Sequence, residues 1–173
     1  MSISVKYAVF TEDHTQWVIT HTRKHFERLF EDHTDYPEIK KYIDENYAPE
    51  ALVRRHNDFS RQMLMAFEGA QPLASAELVS MLLPEQQPEN SDRPLLIHRL
   101  LHDASGRGLP EILRRSEEIA FQKKHDALIV RAFDNASVTR RIIEEQGFEG
   151  YGTGKSGIDH AEVKEIIYIK KIR

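Results

Sequence analysis

Between positions 102 and 110 the sequence runs His102-Asp103-Ala104-Ser105-Gly106-Arg107-Gly108-Leu109-Pro110, and apolar residues after it recur at helical spacing. Glycines at a turn into a helix let the backbone approach a ligand closely. The free N–H groups of the helix start, with their partial positive charge, suit a phosphate. Arg107 adds a cation inside the loop. Glycine followed by proline is equally an ordinary way to begin a helix, so the loop by itself supports either use. At this junction neither G-x-G-x-x-G nor G-x-x-x-x-G-K-S/T is present, which sets aside the dinucleotide and ATP patterns.

Metal chemistry finds less support. His21 and His25 are four apart on one helical face, but no H-E-x-x-H pattern accompanies them, and no metal is expected. The chain has no cysteine. That excludes a disulfide framework, a thiolate nucleophile and zinc held by sulfur, and it fits a reducing compartment.

The elements that must position the loop are legible from periodicity. Upstream of it, 95–101 reads as a strand; downstream, Leu109, Ile112, Leu113, Ser116 and Ala120 fall on one helical stripe. A strand over 127–132, a helix over 137–146 and two strands over 148–152 and 163–172 follow. Before the loop, Ile3, Val5 and Tyr7 alternate as a strand, and a helix over 12–30 carries Trp17, Phe26 and Phe30, read as core or as the wall of a pocket. Two short helices then lead to a hairpin around Gly69-Ala70-Gln71-Pro72, and the proline-rich stretch 84–94 reads as irregular loop. The expected fold class is α/β, a mixed sheet of about seven strands with helices on both faces, in one domain over 1–173.

Composition narrows the function classes. The 173 residues are 40% hydrophobic and 30% charged, apolar enough to build a core and too balanced for disorder. A net charge of −4 without a basic stretch lacks the footprint that holds nucleic acid. The longest apolar run, Met63 to Phe67, is far shorter than the roughly 20 residues of a membrane span. The alternating start reads as a strand and not as a secretory leader. The expected location is therefore the cytoplasm, with no nucleic acid or membrane partner.

Arg99-Leu100-Leu101-His102, the turn through Ser105-Gly106-Arg107-Gly108-Leu109, the strand over 127–133 and Ile142-Ile143-Glu144-Glu145-Gln146-Gly147-Phe148 together resemble the GCN5-related N-acetyltransferases (GNAT). The resemblance covers roughly 48–173 and rests on order and spacing. The closing segment, Gly157-Ile158-Asp159 through Lys170-Lys171, is loosely similar to the branch that acetylates polyamines and related small amines. The resemblance implies acetyl-CoA as cosubstrate, bound in a notch between two splayed parallel strands by Leu100, Leu101, His102, Ser105, Gly106, Arg107, Gly108, Leu109, Pro110 and Asn135. The N–H of Leu101 or His102 would contact the acetyl oxygen. Three positions depart from the family pattern. Ser105 stands where Gln or Arg is usual; Pro110, without an N–H, replaces a small residue; Ile143 replaces the tyrosine that commonly protonates the thiolate.

The implied reaction is direct attack of a small primary amine on the thioester in a ternary complex. His98, where related sequences often carry Glu, is the candidate base, its alternative being a half-exposed strand histidine. Tyr151 is the candidate acid, its alternative a cross-strand aromatic. Glu31, Asp32, Asp35, Glu38, Asp44 and Glu45 would border the acceptor site and could attract a cationic amine, or simply form a solvated face. The competing reading is a non-catalytic ligand-binding or regulatory module with weakened CoA binding, which the three departures favour. A homodimer paired through a sheet edge is compatible with either reading.

Overall fold

The computed structural model describes residues 2–158 and 161–173; Asp159, part of the polyamine-branch resemblance, lies outside them. Strands β1 (Ile3–Tyr7), β2 (Arg61–Glu68), β3 (Gln71–Val79), β4 (Pro94–His102), β5 (Ala127–Phe133), β6 (Glu149–Lys155) and β7 (Lys164–Lys171) form one sheet in the order β1-β2-β3-β4-β5-β7-β6. Every neighbouring pair is antiparallel except β4 and β5. Parallel strands require a crossover. Here it is α4 (Leu109–Gln122), the helix that follows the glycine loop.

The helices divide between the two faces. α4 and α5 (Ser137–Glu145) bury Leu109, Ile112, Leu113, Ile119, Ile142 and Ile143 against one face of the sheet. α1 (Glu12–Phe30), α2 (Tyr36–Asn46) and α3 (Pro49–His56) bury Val18, Phe26, Phe30, Ile39, Ile43 and Leu52 in a second cluster with Leu101. Thr11 caps α1 by accepting from the His14 N–H at 3.2 Å, as its place before the helix predicts. Trp17 is half-buried and packs on the second cluster with Phe26 and Phe30.

Two sequence expectations need correction. The stretch 84–94 contains one short 3-10 turn, Pro84–Gln86, begun by the proline itself. The sixth strand runs three residues further than the expected 148–152, because β6 is an outer strand held by backbone pairing to β7 and needs little apolar patterning.

Candidate active site

β4 and β5 pair only from Pro94 to Ile97 and from Ala127 to Val130, although both strands continue to His102 and Phe133. Past that point they part, and the β5 side of β4 is left without a neighbour. On its other side, Glu77 of β3 pairs with His98 and Ser75 with Leu101, so Arg99 and Leu100 together oppose one residue, Ala76. This is a β-bulge centred on Arg99, whose φ of 53° is left-handed. A non-glycine residue there costs about 1–3 kcal/mol, a strain usually found at functional sites. The bulge breaks the two-residue alternation of the strand. His98 and Arg99, though consecutive, both line the cavity on the α1–α3 side, while Ile97 packs in the opposite core and Leu100 packs there while also bordering the cavity.

That cavity holds about 270 Å³, small for a ligand site. Val18, Phe26, Met63 and Phe133 give it an apolar lining, and Arg55, Arg99, Arg131 and Glu165 give it charge. Glu165 is buried and pairs with Arg131 at 2.8 Å; burial raises its pKa against the pull of that arginine. Behind the wall, buried Glu77 meets Arg61 at 2.5 Å and lies 3.5 Å from Arg55 and 3.9 Å from Arg99. Both Arg55 and Arg99 sit 5.2 Å from the centre of the Tyr47 ring.

Among the described residues, three histidines line or adjoin the cavity. His98 is half-buried; burial and then the nearby Arg99, Arg131, Arg61 and Arg55 push its pKa down to about 3. It is neutral at pH 7 and a weak proton acceptor, unlike the near-neutral imidazole that sequence alone suggests. His25 of α1 is buried, accepts from Arg28 at 3.1 Å and is also pushed down to about 3, chiefly by burial. His102 ends β4. Its Nδ1 lies 2.5 Å from the Asp103 carbonyl and its Nε2 2.6 Å from the Thr139 hydroxyl. A carbonyl only accepts, so Nδ1 carries the proton and Nε2 accepts from Thr139. Thr139, on α5, lines the cavity, leaving its oxygen to accept a proton that passes on to His102.

The glycine loop lies at the end of the parted strands. Gly106 and Gly108 have φ of 75° and 83°. A Cβ on Gly108 would stand 2.9 Å from the Cβ of Ala66 and 3.1 Å from that of Leu73, and one on Gly106 would strike Ile142. The loop is thus glycine-rich partly for packing. Its anion-binding character is visible directly, because the Asp103 carboxylate accepts from the Ser105 N–H at 2.8 Å, the Ser105 hydroxyl at 2.5 Å and the Gly106 N–H at 3.1 Å. Burial opposes ionisation of Asp103, but these hydrogen bonds outweigh it and hold its pKa below the usual value. The carboxylate occupies these donors. Arg107 is held at 2.7 Å by Glu68. Leu109 and Pro110 begin α4 after the Gly108 cap.

No protein-family model and no curated protein matches the sequence. Solved structures do match in shape. A PaiA N-acetyltransferase from Thermoplasma acidophilum in complex with coenzyme A is 18% identical with a TM-score of 0.70, covering 99% of each chain. A probable acetyltransferase from Staphylococcus epidermidis is 14% identical with a TM-score of 0.72, covering 99% of this chain and 100% of its own. The aminoglycoside acetyltransferase AAC(6')-Ib in complex with coenzyme A is 18% identical with a TM-score of 0.63, covering 97% and 95%. The chain has the GNAT acetyltransferase fold. At these identities the likeness speaks for the fold alone.

Within this acetyltransferase fold the expected residues divide. His98, Leu100 and Leu101 line the cavity and His102 adjoins it, while Ser105 to Pro110 form the loop beyond. Tyr151 is not brought to them: it lies on β6, 49% exposed, its hydroxyl 3.4 Å from the Glu89 N–H. Asn135 is exposed in the turn before α5, and its amide donates to the Leu29 carbonyl at 2.8 Å, tying that turn to α1. None of the six acidic residues 31–45 named above lines the cavity. Asp44 pairs with Arg23, Glu45 with Lys41, and Asp35 accepts from the Glu162 N–H. His21 stacks on Trp17 and hydrogen-bonds its carbonyl. A G-x-G-x-x-G string, Gly152 to Gly157, is present on β6 and the turn after it, but no helix follows. Among the described residues no helix is long and apolar enough to cross a membrane.

Sequence reasoning missed Thr139, Arg55 and Arg131. They come from α5, α3 and β5, and nothing local marks them as neighbours of His98. Asp103 had a signal, since Asp103-Ala104-Ser105 is the spacing of an Asx turn.

Proposed function

We propose that the protein is an acetyl-CoA-dependent N-acetyltransferase acting on a small primary amine by direct attack in a ternary complex. The observation that carries this reading is the end of β4–β5 pairing at Ile97 and Val130, with the anion-binding loop beyond it and a cavity beside it. The coenzyme A complexes of the Thermoplasma and aminoglycoside acetyltransferases lend support.

Acetyl-CoA supplies an activated acyl thioester. The N–H groups of Ser105 and Gly106 and the guanidinium of Arg107 hold diphosphate oxygens once Asp103 and Glu68 give way. The unpaired side of β4 offers the backbone N–H of Leu101 or His102 to the acetyl oxygen, where negative charge develops. The amine needs a base. The hydrogen-bond direction at Thr139 favours His102: Thr139 accepts the amine proton and passes its own to Nε2. His98 stands beside the site as a neutral polar wall, its basicity lowered by burial and the arginines.

Calorimetry with acetyl-CoA tests binding, and thiol release over an amine panel tests transfer. Thr139→Val is expected to lower kcat about a hundredfold, within the usual range for a lost proton-transfer group. An unchanged kcat would remove the relay. The module reading is favoured by Asp103, Glu68 and Pro110, which all reduce the donors open to a diphosphate; acetyl-CoA that fails to bind would select it.

A further inference from the structure

The cavity wall carries an unusual charge balance. Three guanidiniums (Arg55, Arg99 and Arg131) and one carboxylate (Glu165) line it. Behind them Glu77 adds one carboxylate, and Arg61 is matched by Asp58 at 3.2 Å, so among the described residues positive charge exceeds negative by one. His25 and His98 stay neutral and do not change that count. Arginine does not escape the imbalance by losing a proton. The shortfall appears as missing hydrogen bonds: Nε and Nη2 of Arg55 and Nε and Nη1 of Arg99 are buried without an acceptor. Glu77 cannot serve them all, because Arg61 takes its best contact and the other two guanidiniums stand off at 3.5 and 3.9 Å. Burying unpaired charged donors is costly unless an anion completes them. The strained backbone of Arg99 directs its side chain to this wall.

We propose that the acceptor is an amine that also carries a carboxylate, a free amino acid, with its carboxylate held by Arg55 and Arg99. This rests on the transfer reading and names its substrate class. The planar, bidentate guanidinium matches a carboxylate, and two of them flank Tyr47 at equal distance. The positive wall repels a polyamine that brings only ammonium groups. For an amino acid the carboxylate offsets the excess positive charge of the wall. A cavity of about 270 Å³ takes one amino acid and not an oligosaccharide.

The test compares each amino acid with the amine left by its decarboxylation, lysine against cadaverine and ornithine against putrescine among them. The wild-type chain is assayed for thiol release from acetyl-CoA, and binding of each compound is followed separately by thermal shift without acetyl-CoA. The expected result is a kcat/KM at least tenfold higher for the amino acid of the preferred pair. Arg99→Gln should bring that ratio near one. Arg99→Gly, which suits the left-handed backbone, guards against a folding defect and should do the same, whereas Arg99→Lys should keep part of the preference. Turnover of the decarboxylated amines at equal or higher kcat/KM overturns the proposal and leaves the transfer reading intact. A thermal shift with an amino acid, lost in Arg99→Gln, but no thiol release, supports the carboxylate site and overturns transfer. No shift and no turnover with any amino acid overturns the proposal.

Discussion

At the loop after β4 the backbone donors are already engaged by a carboxylate of the chain itself, whereas in the cavity beside β4 two side-chain nitrogens each of Arg55 and Arg99 are buried with no acceptor. Both regions are built to meet negative charge, and they stand a few residues apart on one strand. The difference lies in what the fold can supply locally. Asp103 is two residues from Ser105 and reaches the loop through an Asx turn, so that region is satisfied without a ligand. The arginines arrive from α3 and β4 around one shared carboxylate, and among the described residues no second acidic side chain pairs with them. The loop therefore invites displacement, and the cavity invites completion.

The largest test of this contrast is structural. Gly108→Ala forces a side chain into left-handed backbone and against the Cβ atoms of Ala66, Leu73 and Ala74. Strain and overpacking together should cost about 3 kcal/mol in urea unfolding. A loss below about 1 kcal/mol would show that the loop's shape is set by something other than this packing. Next, Asp103→Asn removes the resident anion. The dissociation constant for acetyl-CoA in calorimetry should fall about tenfold, equal to about 1.4 kcal/mol, and an unchanged value would end the view of Asp103 as a stand-in for phosphate.

Stability as a function of pH also separates the two regions. The pKa of His25 is lower in the folded chain than its unfolded value near 6.5, so its contribution to stability is complete above that pH. It declines as pH falls from 6.5 towards 3, by at most about 1.4 kcal/mol per pH unit. The lowered pKa of Asp103 works in the same direction but only near and below the usual carboxylate range. Denaturant stability measured from pH 7 to 4.5 should therefore fall, with a shallower slope in His25→Gln and an unchanged slope in Asp103→Asn. Equal slopes in all three chains would contradict the burial of a neutral His25.

Much of the fold was legible because local periodicity carries it. The α1 helix over 12–30, the β2–β3 hairpin around Gly69 and the start of α4 after Gly108 follow from spacing, caps and glycines. The parting of β4 from β5 was implied only by family resemblance. The bulge was not legible, since an arginine at left-handed φ has no sequence signal, and without the bulge His98 and Arg99 would face opposite sides of the sheet. The candidate site suffers most from this. His98 could be located in the sequence, but its loss of basicity depends first on burial and then on Arg99, Arg131, Arg61 and Arg55, the last three brought from other elements. The acidic run 31–45 suggested attraction for a cation, yet it stays outside the cavity, whose wall carries more guanidiniums than carboxylates.

The short β4–β5 ladder also has a mechanical meaning. Strands β1 to β4 form one antiparallel panel and β5, β7 and β6 another, and within the sheet the two are stitched only from Pro94 to Ile97. Force applied across the strands should open the sheet at this seam before either panel unravels, and a probe of slow amide exchange should find residues 98–102 the least protected stretch of β4.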